Sequence, residues 1–383
     1  MMNYTLNNLQ IAILFANYGP YHIARVESAY HACQSRGWNV FGIELARSGE
    51  EYPWQASLKN IAFELITICQ SSTYEKAGKL FLIQNILKTL SKTQPDVLAI
   101  AGYSEPAMIA AFLWGKLNKK TLILLSESKE DDVTRILHKE LFKKQIIHNY
   151  DAALVGGKSH QTYLQKLGMN SSLITWGYDV VDNKVFQANQ IQILPPPLNK
   201  PYFLTINRFV AKKNIPFILE AYACYRNELS DSAWDLVLCG DGELRPQIEN
   251  QINQLQLNDH VYLPGFLQQD ELLPYFAHAK CFIHASIQEQ WGLVVNEAMA
   301  ASLPVLVSNR CGCYADLIIE GVNGFGFDPI CPSELINLMI SVTEGKYNLN
   351  QLSQAALKHI NQNFSIDKFG SGIVNAIDQT IKV

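Results

Sequence analysis

No stretch of this 383-residue chain approaches the roughly 18 consecutive apolar residues that a membrane-spanning helix needs. Charge is also scarce. Only 17% of residues are charged, 31 basic against 35 acidic, for a formal net charge of −4, which removes any global electrostatic case for nucleic acid. Any phosphate it binds must therefore meet local donors. Cysteine is thin, eight residues scattered through apolar segments, and Cys311-Gly312-Cys313 lacks both the gap and the second pair of a zinc site. Free thiols suit a reducing compartment. No aspartate-rich metal cluster is evident. The Gly-x-Gly-x-x-Gly loop of a nicotinamide-binding oxidoreductase is missing, since the first predicted strand leads into Asn17-Tyr18-Gly19-Pro20-Tyr21-His22. No basic leader precedes the apolar run Leu9 to Ala16, so no export signal is read and the cytoplasm is the expected location.

Apolar residues, in contrast, are plentiful, 48% of the chain, and at this length they imply two cores. Ile11 to Ala16 reads as a buried strand, the loop to His22 as a site candidate, and the segment to about Ser35 as a helix, with Val40 to Leu45 returning to the sheet. Helices are expected over Leu58 to Gln70, Glu75 to Leu90 and Glu105 to Leu117. Strands are expected over Asp96 to Ala101, Thr121 to Leu125 and Ala152 to Val155. Such alternation is that of an α/β, doubly wound domain, with ligands at the carboxyl ends of its strands. Pro195-Pro196-Pro197 and Pro201 lack ladder donors, which places the linker between about 187 and 201. A first domain over 1–190 and a second over 191–365 follow. The second series has strands at Tyr202 to Ile206, Leu236 to Cys239, Val261 to Leu263, Lys280 to Ala285 and Val305 to Ser308.

The most informative stretch runs from Cys281 to Asp316. A strand-length apolar run turns polar at Ser286-Ile287-Gln288-Glu289-Gln290, breaks at Trp291-Gly292, and continues as a helix from Leu293 before a second strand from Pro304. That order sets Trp291, Gly292 and Leu293 at a helix N-terminus, where free N–H groups and the helix dipole favour an anion. Glu289 and Glu297 bracket the turn, and an ionised carboxylate accepts strongly from hydroxyl donors. Upstream, Asn207-Arg208-Phe209-Val210-Ala211-Lys212-Lys213-Asn214 follows a strand, with Arg208 and Lys213 five apart. Gly240-Asp241-Gly242 and Gly265-Phe266 end two further strands.

This combination resembles the donor-site signature of the retaining GT-B glycosyltransferases, family 4: a Glu, seven residues, a second Glu, a small-residue helix and Pro-Val. The resemblance implies two Rossmann-like domains facing each other across a cleft, the C-terminal helix 366–382 packing back on the first, and a sugar moved with retention from a nucleoside-diphosphate sugar, UDP-sugar favoured and GDP-sugar possible. The acceptor would be a small molecule, a glycan or a lipid-linked hydroxyl. It implies no cofactor besides the nucleotide-sugar co-substrate, and no metal. Carried onto this chain, Arg208, Lys213 and Glu289 are catalytic, and Gly19, Gly240, Asp241, Phe266, Trp291, Gly292, Leu293 and Glu297 hold the donor. Tyr18, His22, Tyr103, Ser126 and Glu127 are acceptor-side candidates. Ser126-Glu127-Ser128 stands where relatives place a His-containing loop, a departure that removes any catalytic His there. A nucleotide-sugar epimerase of the same fold and a non-catalytic sugar-nucleotide binder remain alternatives. The basic, partly amphipathic segment Lys139 to His148 adds a possible peripheral contact with the inner membrane surface.

Overall fold

The computed structural model describes residues 8–49, 58–133 and 135–381. The chain divides into two units, 1–182 with 366–383, and 183–365. In unit 1 the strands are β1 (Gln10–Phe15), β2 (Asn39–Ala46), β3 (Glu64–Cys69), β4 (Val97–Ala101), β5 (Thr121–Ser126), β6 (Ala152–Val155) and β7 (Ile174–Trp176). All are parallel in one seven-stranded sheet of order β3-β2-β1-β4-β5-β6-β7. Runs such as Ile11 to Phe15 and Leu122 to Leu125 are buried throughout, as strands covered on both faces must be. The covering helices are α1 (Pro20–Gln34), α2 (Lys79–Thr93), α3 (Pro106–Leu117), α4 (Leu137–Ile147) and α5 (Lys158–Lys166).

One expected helix is a strand. The segment read as helical from Leu58 forms β3 instead, paired with β2 from Phe41↔Glu64 to Ala46↔Cys69. Its consecutive β-branched residues Ile66, Thr67 and Ile68 fit a pleated edge better than a helix. The next helix starts later than expected, after Gly78.

Unit 2 opens with the one-turn helix α6 (Ala188–Ile191). Five strands follow with helices between them: β8 (Tyr202–Ile206), α7 (Ile215–Leu229), β9 (Asp235–Cys239), α8 (Arg245–Gln254), β10 (Val261–Gly265), α9 (Gln269–His278), β11 (Cys281–His284), α10 (Leu293–Ala300) and β12 (Val305–Ser308). After α11 (Tyr314–Leu317) come β13 (Gly324–Phe327), α12 (Pro332–Thr343) and α13 (Leu349–Asn363). The parallel sheet is ordered β10-β9-β8-β11-β12-β13. In each sheet the order reverses beside the first strand, between β1 and β4 and between β8 and β11, and such reversals open a crevice at the strands' carboxyl ends.

The chain leaves unit 1 at Asp182, earlier than the proline-rich stretch suggested. Asn183 donates to Asn361 Oδ1 at 3.0 Å, Phe186 meets Phe276 edge-on with centroids 5.5 Å apart, and His278 Nε2 bonds the Leu194 carbonyl at 2.7 Å. These contacts tie 183–194 to unit 2, so the prolines are part of that unit's surface. The last helix, α14 (Asp367–Ile381), belongs to unit 1. It packs on α1, β6 and β7, and Ser28 Oγ donates to the Ile366 carbonyl at 2.9 Å. Residue 382, the expected end of this helix, lies outside the described residues.

Candidate active site

In unit 2 the loops leaving β8, β9 and β10 are tied to one another by backbone bonds. Asn207 N–H donates to the Cys239 carbonyl at 3.0 Å, Phe209 N–H to Asp241 at 2.8 Å, and Gly240 N–H to Gly265 at 2.7 Å. Gly240 has φ +131, and a Cβ there would lie 1.8 Å from the Asn207 carbonyl oxygen, so no other residue permits this approach. Asp241 is exposed. Its carboxylate accepts from the Gly242 N–H at 2.7 Å and lies 3.4 Å from Arg245. Phe266 is 39% exposed just beyond β10.

Glu289 lies across the β8/β11 reversal from this assembly. Its loop is fastened to the one after β12, through Gly312 N–H to the Glu289 carbonyl at 3.1 Å and Cys313 N–H to Trp291 at 3.2 Å. The Glu289 carboxylate is almost wholly buried and pairs directly with Lys213 Nζ. It also accepts from Ser286 Oγ at 3.0 Å, and His284 Nε2 lies 3.5 Å away. Burial by itself would raise this carboxyl, but the Lys213 ammonium and then His284 outweigh it and hold the group below the usual carboxylate range. Burial pushes the His284 imidazole down, which keeps the ring neutral. Sequence reasoning passed over both Ser286 and His284. The signal was their spacing, since residues two apart at a strand's exit share one side.

Gly292, at φ +107, is the N-cap of α10, and Leu293 begins the helix with first-turn amides that have no carbonyl one turn back. Glu297 is buried in the next turn. Arg208 is partly buried in the same β8 loop as Lys213. The Trp291 side chain is different: it is 1% exposed, donates to Asn296 Oδ1 at 2.9 Å and packs near Phe364. It is core, and only its backbone takes part in the turn.

Unit 1 carries a second crevice at its own reversal, lined by residues that include Phe15, Asn17, His22, Ser126, Glu127 and Tyr178. His22, Ser126 and Glu127 are thus gathered, and Asn17 is an addition. Tyr18 is not. It is fully buried, its hydroxyl donates to the Ile13 carbonyl at 2.7 Å, and its N–H to the buried Glu44 carboxylate at 2.8 Å. Tyr103 is also buried and absent from the described lining. Gly19 N–H donates to His22 Nδ1 at 3.2 Å, so it caps α1 and is not a spare donor. Burial, and secondarily Arg25, lowers His22 to about 3. With Nδ1 accepting, the neutral ring carries its hydrogen on Nε2 and acts there as a donor, not as a base. Among the described residues, no three or more His, Cys, Asp or Glu gather as around a metal ion, and no helix is long and apolar enough to cross a membrane.

Residues 186–359, nearly the whole of unit 2, match the family model for glycosyl transferases group 1. The match covers the second unit and stops short of the first. Alpha-monoglucosyldiacylglycerol synthase from Acholeplasma laidlawii is 29% identical over 176 residues, 45% of this chain and 43% of that protein. The chain spans about a third to a half of the length of the curated relatives it matches. Among solved structures, Anabaena HepE in complex with UDP and glucose superposes with TM-score 0.76 at 16% identity, covering 97% of this chain and 99% of that one. Sucrose-phosphate synthase from Thermosynechococcus elongatus gives 0.74 at 17%, covering 98% and 99%. At such identities the likeness is one of fold, and that fold is the GT-B pair of Rossmann-like domains.

Proposed function

We propose that this chain is a retaining glycosyltransferase that moves a sugar from a nucleoside-diphosphate sugar, UDP-sugar favoured and GDP-sugar possible, to a hydroxyl acceptor without a bound metal. One observation carries the reading: inside the segment matched to the family, Lys213 and Glu289 meet at the crevice between β8 and β11. There Arg208 and Lys213 hold the diphosphate, joined by the Gly292–Leu293 end of α10. A cation close to the leaving phosphate contributes on the order of 4 kcal/mol per charge pair at an effective dielectric near 20. This charge is set before the reaction, so it favours the transition state, in which the diphosphate gains charge. Glu289 accepts from sugar hydroxyls, and buried Glu297 from the ribose. Gly240, Asp241 and Phe266 border the base. Unit 1 supplies the acceptor side through His22, Ser126 and Glu127. The UDP and glucose in the HepE complex support the preference for a UDP-sugar.

The test is a thermal-shift panel of UDP- and GDP-sugars, run in parallel with and without a chelator, as are the turnover assays that follow. A donor at about 100 times its Kd stabilises the fold by about 2.7 kcal/mol. The best stabiliser is then incubated with candidate acceptors, and NMR reads the anomeric configuration of any product. An α-linked product from an α-linked donor supports retention. An isomer from donor alone marks an epimerase, and stabilisation with no product for any acceptor marks a non-catalytic binder. Turnover abolished by the chelator overturns metal independence.

A membrane-surface contact belongs to the same proposal. Around α4, Val133, Ile136, Leu137, Leu141 and Phe142 are 42–78% exposed, beside exposed Lys139 and Lys144. Glu140, the acid of that helix, is engaged by Lys143 at 2.8 Å and by the Tyr163 hydroxyl at 2.7 Å. The outer face is therefore apolar and basic, which fits an anionic lipid surface.

A further inference from the structure

Strand β11 ends on a polar residue where its burial calls for an apolar one. Cys281, Phe282 and Ile283 are fully buried, and His284 after them is buried just as completely. An imidazole in such a place is stabilised only by the partners it finds, and it finds few. Nδ1 has no hydrogen-bond partner among the described residues, and the ring lies over that of Phe282 with centroids 6.4 Å apart. The Nε2 edge alone meets polar atoms, Ser286 Oγ at 3.3 Å and Glu289 Oε2 at 3.5 Å. A Cβ added to Gly292 would lie 3.4 Å from the same Nε2, so the ring also sits against the N-cap of α10.

These contacts fix the direction of each hydrogen. The Glu289 carboxylate can only accept, and its Oε2 takes the Ser286 hydroxyl hydrogen at 3.0 Å. Ser286 Oγ is then an acceptor toward the ring, and Nε2, facing two acceptors, carries the imidazole's hydrogen. Donation runs from His284 to Ser286 to Glu289, and each bond polarises the next. The ring is neutral, because burial lowers its pKa more than Glu289 raises it and Lys213 adds to the lowering. Its other titratable neighbour, the Cys313 thiol, is held protonated by burial. Lys213 Nζ, Ser286 Oγ and His284 Nε2 therefore converge on one oxygen, Oε2. Oε1 takes none of these three contacts, and the Glu289 side chain keeps 11% exposure.

We propose that His284 is a positioning residue: acting through Ser286, it holds one oxygen of Glu289 on Lys213 and leaves the other presented to the hydroxyls of a donor's sugar. The inference deepens the reading of Glu289 as the group that meets the sugar, and rests on it. A carboxylate free to swing would offer neither oxygen in a fixed direction, whereas a restrained one loses less freedom when the sugar arrives. The brace also accounts for a buried ring with one nitrogen unsatisfied in an otherwise apolar strand, since local rules are broken where function requires it.

Calorimetry on the full chain tests this with UDP, GDP, UDP-glucose, UDP-N-acetylglucosamine and GDP-mannose as probes. The quantity read is the Kd of the tightest-binding sugar nucleotide divided by that of its bare nucleotide. His284→Leu and Ser286→Ala should each raise this ratio roughly three- to tenfold, the loss of one hydrogen-bonded restraint, while affinity for the bare nucleotide changes by less than about twofold. His284→Gln, which keeps a donor at the far end of the side chain, should restore the ratio. In a Glu289→Ala background His284→Leu should raise it no further, because the two residues act as one unit. The denaturation midpoint of His284→Leu should stay at or above that of the wild type, since the unpaired nitrogen leaves with the ring; a purely structural His would lower the midpoint and leave the ratio alone. The proposal is overturned if either His284→Leu or Ser286→Ala leaves the ratio unchanged, if His284→Gln fails to restore it, if the His284→Leu effect persists in full without the Glu289 carboxylate, or if the wild-type chain binds none of the sugar nucleotides. Sugar transfer by a wild-type chain whose ratio is indifferent to His284 would sink this proposal and leave the transferase standing. The predicted ratios with no transfer to any acceptor would do the reverse.

Discussion

Lys213 and Glu289 are 76 residues apart in the chain and act as one group in the fold. Because the pair is buried, removing one member leaves the other charge uncompensated, a cost of roughly 3–5 kcal/mol. Lys213→Ala should therefore lower stability by that order in denaturant titrations and cut kcat/KM by about 10²-fold to 10³-fold, the loss of one charge-stabilising donor. Glu289→Gln separates the two roles. It frees the ammonium for phosphate, so UDP should bind several-fold tighter by calorimetry while turnover falls, and UDP binding that weakens instead would mean the carboxylate itself supports the nucleotide. Proton linkage gives a second measurable effect. His22 is neutral when folded down to about 3, but its unfolded value is 6.5. Below 6.5 the unfolded chain takes up a proton that the folded chain does not. The stability His22 contributes is thus complete above 6.5 and declines as pH falls toward 3. Glu289, depressed from 4.5, adds a further decline below that value. His22→Asn should flatten the slope between pH 6.5 and 4.5 in denaturation midpoints, and an unchanged slope would show that the imidazole charges in place.

At the scale of elements, the site is made by loops that cannot move independently. The turn carrying Arg208 and Lys213 is bonded to the Gly-Asp-Gly turn after β9, and Gly240 is where the two backbones touch. Gly240→Ala should cost at least the roughly 1–3 kcal/mol of a strained backbone, and by displacing Asn207 should weaken UDP binding more than any change in the exposed Asp241 side chain. Equal losses of UDP affinity in Gly240→Ala and Asp241→Ala would contradict this order. Most of these elements were legible in the sequence because buried parallel strands are uninterrupted apolar runs. Tyr202 to Ile206 is a case in which the predicted and observed strand coincide. The helix read from Leu58 was misjudged because Glu64 to Cys69 is short and apolar enough for either period, and only pairing with β2 decides it. Trp291 misled for a related reason: a residue at a helix start is placed by its neighbours in sequence, while its side chain is placed by the core beneath it.

On the scale of the whole molecule, the apolar and basic face around α4 should give lipid-dependent pelleting with liposomes containing anionic lipid and little with neutral ones. Leu141→Glu with Phe142→Glu should abolish it without loss of UDP binding, and pelleting indifferent to those changes would dismiss the face. The sequence alone determined the α/β class, the two cores, most of the strands and the motif that carries Glu289, because strand periodicity, proline and glycine act through local chemistry and that motif is contiguous. The tertiary structure decided what no local pattern encodes. It set the crossing at Asp182 and fixed Ser286 and His284 behind Glu289. It also turned Tyr18 and Tyr103 inward and gathered His22, Ser126 and Glu127 around one cavity. Those outcomes depend on which distant groups burial brings within a few ångströms, and in a chain this long that is settled by packing.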